Sequence, residues 1–341
     1  MAADTRGLPV SRRQLLLAGL ALAGNGLLAG CAMPLLPGQR SAKVPRIGYL
    51  AVGSREGRAF LIDGFLQGLR EHGYTEGQNV LIEYRFSQND DTRLPALAAE
   101  LVALKVDLIM TSGAPASFAA ARATRTIPVI LGGIATDPVE AGLVASLAHP
   151  GGNVTGMSQM SSQLSGKRLE LLKDIVPGLA RVAVFWNPPN PALGPVLKEL
   201  EAAALGLELQ CLEVRVPEDF PGAFAAAGQQ RADALIMPGD PLTTNRANVV
   251  ADLALQHRLP AMMEYRHFVV AGGLLSVGVD LADLYRRSAE HVDKILKGAK
   301  PADLPVQQPT MFEFVINLQT AQALGLTIPQ HVLLQATEVI Q

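Results

Sequence analysis

The feature that most constrains this chain is an alternation. From residue 46 onward, short apolar runs trade places with stretches of helical period, almost without a break. "RIGYL" (46–50) leads into "RAFLIDGFLQGLREHG", where Phe60, Leu61, Phe65 and Leu69 recur at helical spacing and Gly73 supplies the stop. "NVLIEYRF", the helix "TRLPALAAELVAL", "VDLIMTS", "PASFAAARAT", "IPVILGGI" and a helix over "PVEAGLVASLA" complete four strand–helix units by about residue 148. The rhythm restarts after "HPGGNVTG", with strands at "RVAVFWN", "LELQCLEV", "ADALIMPG" and "PAMMEY" separated by helical stretches. Parallel neighbours need crossover connections, so this order predicts parallel sheets with helices on both faces. About nine strands in two runs fit two doubly wound domains or, alternatively, one nine-stranded sheet. The tail departs from the pattern: a strand at "GGLLSVGVD", the helix "LADLYRRSAEHVDKILKG", an irregular "PADLPVQQPT", then a last strand and helix.

The N-terminus has a different logic. Arg6, Arg12 and Arg13 precede an apolar run from Leu15 to Leu28, and Ala29 and Gly30 lead to Cys31. At about 14 residues the run is short of the roughly 20 that span a bilayer, and its layout is that of an export signal. "LAGC" resembles a bacterial lipobox and "SRRQLL" a twin-arginine motif. The expectation is an export signal over 1–30, lipidation at Cys31, and a Pro- and Gly-containing tether over 31–44. Removing residues 1–30 takes away three basic residues and Asp4 and leaves a net charge of -4, with no electrostatic footprint for nucleic acid. With Cys31 spent on lipid, Cys211 has no disulfide partner and reads as a buried small hydrophobe.

Strong catalytic signatures are missing. There is no G-x-S-x-G, no G-x-G-x-x-G after the first strand, and no close pairing among the six histidines that would hold a metal. No cofactor is implied. What recurs is small or polar residues just after strands, where ligands settle in open α/β sheets. In order these are Gly53, Ser54, Ser112, Gly113, Thr136, Asp137, Asn187, Asp240, Tyr265 and Asp280. Helix-start N–H groups favour a carboxylate, an aspartate suits an ammonium, and Trp186 or Tyr265 supplies an apolar wall. Each has a plainer reading: Thr136, Asp137, Asp240 and Asp280 as helix caps, the proline-rich turn at Asn187 as a stiff loop, and the two aromatics as core. An exported enzyme would need converging groups, and Ser112 with His267 is the one pair on offer.

Over nearly the whole mature length the chain resembles the ABC transporter substrate-binding proteins of the tryptophan/tyrosine-binding type. The stretches that carry the resemblance include "FLQGLREHGYTEGQNVLIEYR", "DPVEAGLVASLAHPGGNVTG", "LSGKRLELLKDIVPGLARVAVFWNPPNP" and "KILKGAKPADLPVQQPTMFEFVINLQTAQALGLTIP". The resemblance implies a type 1 periplasmic-binding fold: two α/β lobes, a three-crossover hinge, and ligand in the cleft between. By analogy lobe 1 takes 45–155 plus 281–305 and lobe 2 takes 156–280 plus 306–341, with crossovers near 154–156, 278–281 and 303–310. It implies a small-molecule ligand, amino-acid-like by default, closure on it, and ABC permease subunits as partners; a sensor of the same fold, acting on a signalling partner, is the alternative. Val277 stands where many relatives carry Tyr, and Gly239 is unusual; both fall near the presumed cleft.

Overall fold

The computed structural model describes residues 44–88, 90–309 and 311–341. The export signal, Cys31, nearly all of the tether and one residue of the third crossover lie outside the described residues. The first sheet collects β1 (Arg46–Ala51), β2 (Leu81–Phe86), β3 (Leu108–Ser112), β4 (Val129–Ile134) and β5 (Val154–Ser158) in the order β2-β1-β3-β4-β5, all parallel. Between them run α1 (Ala59–Glu71), α2 (Leu94–Ala103) and α3 (Ala114–Ala123). Alternate strand residues feed two cores: Leu50, Ile109 and Leu131 pack beneath α2 and α3, while Ile47, Tyr49, Met110 and Ile130 pack on the other side with α1. Both faces are covered, as an all-parallel sheet requires.

The second half places α4 (Ser165–Ile175), β6 (Arg181–Trp186), α5 (Leu193–Ala203), β7 (Glu208–Glu213), α6 (Phe220–Gln229) and β8 (Ala234–Ile236) in sequence. There follow α7 (Pro241–Thr244), α8 (Ala247–Gln256), β9 (Ala261–Met263), α9 (Arg266–Val270) and β10 (Leu275–Gly278). Then α10 (Leu281–Leu296) returns to the first sheet, and β11 (Glu313–Asn317), α11 (Leu318–Leu324), α12 (Gln330–Leu333) and β12 (Glu338–Ile340) go back to the second. That sheet runs β12-β11-β10-β9-β8-β6-β7, parallel except where β11 meets β10 antiparallel. Among the described residues, twelve strands in a five-stranded and a seven-stranded sheet replace the nine read from the sequence, and the single-sheet alternative is excluded. The chain is α/β with two lobes, and it passes between them three times: after β5, after β10 and after α10.

The return of α10 explains the broken rhythm of the tail. It lies against α1, where Gly64 and Gly68 let the helices touch; a Cβ at Gly68 would overlap the Arg286 carbonyl. Arg286 bonds Glu71 at 2.8 Å, and the Tyr74 hydroxyl donates to Asp293 at 3.2 Å. Segment 304–307 runs beside β5: Gln307 N donates to Gly156 O (2.8 Å), Ser158 N to Gln307 O (2.9 Å), and Thr155 Oγ1 to Leu304 O (2.7 Å). Two of the three passages are thus hydrogen-bonded to one another.

Two expectations need correcting. No helix forms over "PVEAGLVASLA", which is a run of turns with Gly142 at φ 68°. Its apolar residues, Leu143, Val144 and Leu147, are periodic because they dock a loop onto the first core. Cys211 is exposed, since β7 forms the edge of its sheet. Among the described residues no helix is long and apolar enough to cross a membrane.

Candidate functional site

The loops at the carboxyl ends of the strands shape the site. After β1, Gly53 takes φ 81° and donates its N–H to Ser87 Oγ (2.9 Å), and the Ser54 hydroxyl accepts from Gly57 N (3.3 Å). That tight turn delivers Arg58 to the foot of α1. After β3, Gly113 at φ 95° starts α3, and a Cβ there would press on Val52 and Pro241, 3.1 and 3.2 Å away. Ser112 is fully buried and accepts from the Tyr285 hydroxyl of α10 at 2.8 Å. After β4, Thr136 is buried and Asp137 caps a turn, accepting from Val139 N (2.7 Å) and Glu140 N (3.3 Å).

From the second sheet come Asn187 and Asn190 after β6, Gly239 and Asp240 after β8, and Tyr265 after β9. Asp240 caps α7 through Leu242 N (2.7 Å) and accepts from Asn190 Nδ2 (2.7 Å) and, more weakly, Asn187 Nδ2 (3.4 Å). Burial pushes the Asp240 carboxyl up from the usual aspartate range against those three bonds. Asp280 is exposed and caps α10 through Asp283 N (3.0 Å). The plainer reading therefore describes all three aspartates at helix or turn starts. Trp186 ends β6 half-buried.

Between the two sets of loops is a cavity of about 30 Å³, room for about two waters. Arg58, Gly113 and Tyr285 reach it from the first lobe, and Asn190, Gly239 and Tyr265 from the second. Gln159, just past β5, ties them together: its Nε2 donates to Gly133 O (3.1 Å) and its Oε1 accepts from the Tyr265 hydroxyl (2.7 Å). Burial raises both tyrosine hydroxyls above their ordinary range, so they stay protonated donors at neutral pH. Gly239 is small for a local reason: a Cβ would run into the Tyr265 hydroxyl and the Glu264 carboxylate.

Of the ten residues expected from strand ends, Gly113 and Tyr265 line this cavity. Asn187 and Asp240 line a second small one with Asp91, Asp280 lines an open groove beside His267, and the others stand in the surrounding loops. The residues that strand-end reasoning passed over are Arg58, Gln159, Asn190 and Tyr285. Ser112 and His267 are engaged apart from each other, the first by Tyr285, the second against the Phe60 and Tyr265 rings at 5.3 and 5.8 Å between centroids.

Two buried arginines frame the site. Arg168 on α4 pairs with Glu264 at 3.0 Å, donates through Nε to Val277 O (3.0 Å), and shares Ser161, whose hydroxyl also bonds Glu264. Arg58 is 3% exposed and gives its Nε to Val52 O (3.1 Å); its terminal Nη2, like that of Arg168, is buried without a partner, but unlike Arg168 it has no carboxylate beside it. Among the described residues no carboxylate comes within ion-pair distance of Arg58.

Comparison with known proteins agrees with this geometry. Residues 46–340 match the family model for ABC transporter substrate binding proteins. The tyrosine-binding protein of Clostridioides difficile (strain R20291) is 31% identical over 264 residues, 77% of this chain and 76% of that one. A solved domain in complex with L-Trp from Streptococcus pneumonia is 32% identical with TM-score 0.80, over 87% of this chain and 99% of that one. A conserved domain protein from Vibrio cholerae is 28% identical with TM-score 0.82, over 87% and 100%. The ligand-free, open structure of a substrate binding protein with adhesive properties from Clostridium difficile is 26% identical with TM-score 0.62, over 87% and 99%.

Proposed function

Because this chain belongs to the family of ABC transporter substrate-binding proteins, we propose that it captures an amino-acid-like solute, aromatic by default, and delivers it to the permease subunits of an importer. It works outside the cytoplasm, held to a membrane by lipid on Cys31. The observation that carries this reading is the central cavity, walled by side chains from both lobes and bridged by Gln159. A solute held there touches two bodies at once, so the closed arrangement gains contacts that the open one lacks. The greater likeness to the L-Trp complex than to the open, ligand-free structure supports a nearly closed arrangement here. The cavity is too small for an amino acid as it stands, so entry requires the lobes to part.

The lobes divide at 45–155 plus 281–305 and 156–280 plus 306–341, with the three passages as hinge; the paired strand 304–307 and β5 limit it to bending. Within the cleft the N-terminus of α3 at Gly113 offers N–H groups to the solute and Tyr265 offers a wall and a hydroxyl. Gly53, Ser54, Ser112, Thr136, Asp137, Asn187, Asp240 and Asp280 shape the loops that close around it. The first test is thermal unfolding of the full-length protein with L-Trp, L-Tyr, other amino acids, nucleosides and sugars. A saturating ligand at 100 times its dissociation constant adds about 2.7 kcal/mol. An amino acid that raises the unfolding temperature, and whose uptake is lost on deletion of the gene, is the expected result. Intact uptake with an altered gene response would replace import with sensing.

A further inference from the structure

Resting on that reading, we infer that Arg58 is the charged anchor of the cavity and that the solute is a carboxylate held through that anion, an α-ammonium contributing little. Arg58 stands three, four and seven residues before Leu61, Ile62 and Phe65, on the stripe by which α1 packs into the core, so its stem is fixed. A buried guanidinium without a counter-charge is costly and finds compensation in an anion. Among the described residues the fold supplies none within ion-pair distance; the Asp91 carboxylate feels the Arg58 charge only from farther off.

The neighbouring acids, Glu264 and Asp240 buried and Asp91 half-buried, have hydrogen-bond partners of their own. Glu264 is held by Arg168, Asp240 accepts from Asn190, Asn187 and Leu242 N, and Asp91 accepts from Ser87 Oγ at 2.9 Å. No aspartate or glutamate lines the cavity. What does line it beside Arg58 is neutral: two tyrosines, an asparagine, a glutamine and the backbone at Gly113. Such a wall presents one positive charge in a planar fork, the shape that grips a carboxylate with two parallel bonds. It presents no anion to balance an ammonium.

The test uses three compounds that differ only at the two charged ends: L-tryptophan, 3-indolepropionate and tryptamine, titrated calorimetrically into the full-length protein. Expected is binding of the first two within about tenfold of each other and tryptamine at least about 100-fold weaker. Arg58→Met is expected to weaken both carboxylates about 10- to 100-fold, the range for losing a charge-assisted hydrogen bond. Arg58→Lys, which keeps the charge but not the fork, is expected to recover part of that loss. Thermal unfolding of each variant confirms that it is folded, and the three-compound series on the unmutated protein does not depend on them. Tryptamine binding as well as tryptophan, an indolepropionate penalty above about 100-fold, or an unchanged Arg58→Met would each overturn the assignment. Binding of a neutral sugar or nucleoside with no carboxylate bound would leave capture standing and remove the role of Arg58. If no solute of any charge moved the unfolding temperature, the capture reading would fall and the carboxylate assignment with it.

Discussion

The two lobes meet their shared cavity in opposite electrical states. In the second, charge is settled internally: Arg168 has Glu264, and Asp240 has two asparagines and a helix N–H. In the first, Arg58 is as deeply buried as Arg168 yet has no acid. The two arginines even keep the same spacing to the core residues that follow them, although Arg58 stands just before its helix and Arg168 within its own. Arg168 lies three, four and seven residues before Leu171, Leu172 and Ile175, as Arg58 does before Leu61, Ile62 and Phe65. Burial alone therefore does not separate a charge that braces a fold from one held for a solute. Pairing does.

Glu264→Ala strikes that contrast hardest, because it leaves the buried Arg168 without its anion. A loss of about 3–5 kcal/mol in urea unfolding is expected. A smaller effect is expected from acid, at the place where the lobes touch through Phe60 and His267. Burial pulls the His267 imidazole down from 6.5 to about 4. Between those values the unfolded chain binds the proton and the folded one does not, so this group's contribution to stability is full above about 6.5 and falls as pH drops to about 4. Asp240, its carboxyl raised by burial, acts in the opposite sense and loses its contribution as pH rises through that raised value. Unfolding temperature followed across this range, with His267→Gln as the control, is expected to show the histidine slope vanish in the variant.

On the surface of the second lobe, Arg266 grips Glu338 with two bonds of 2.6 and 2.7 Å, but the side chains are 46% and 39% exposed. Glu338→Gln is expected to cost at most about 1 kcal/mol, less in high salt. At the bottom of the scale stands Arg58→Met. Removing an unpaired buried charge is expected to change the stability of the ligand-free protein by about 0–1 kcal/mol, in the stabilising direction. A loss like that of Glu264→Ala in the same urea titration would show that the fold itself depends on Arg58, and the contrast between the lobes would collapse.

Much of this architecture was legible in the chain because apolar spacing reports which face is covered, whatever covers it. "RIGYL" and "VDLIMTS" read as buried strands, and the restart after residue 156 fitted a second sheet as well as a continuation of the first. The same spacing misled at 138–148, where it recorded a loop docked on the core. The strand ends drew attention to Gly113 and Tyr265, which line the central cavity, but residue type alone could not rank the aspartates, since capping and ligand binding want the same oxygen in the same place. Arg58 left a signal that went unused: a charge in phase with Leu61, Ile62 and Phe65. A solvated charge has no reason to keep that phase. Gln159 left none, because its role depends on Gly133 and Tyr265, far away in the chain.

The seating of α10 against α1 has a consequence in time. Arg286 and Glu71, which join them, are 215 residues apart, and Gly68 is shaped for a neighbour that the chain supplies only after β10. The lobe whose strands emerge first is consequently not closed until β6 to β10 of the second have emerged. Until α10 arrives, Leu61, Phe65 and Leu69 have no cover on that side. Contacts closed over such a span are slow to form, so the first sheet, though begun first, waits open while β6 to β10 of the second emerge.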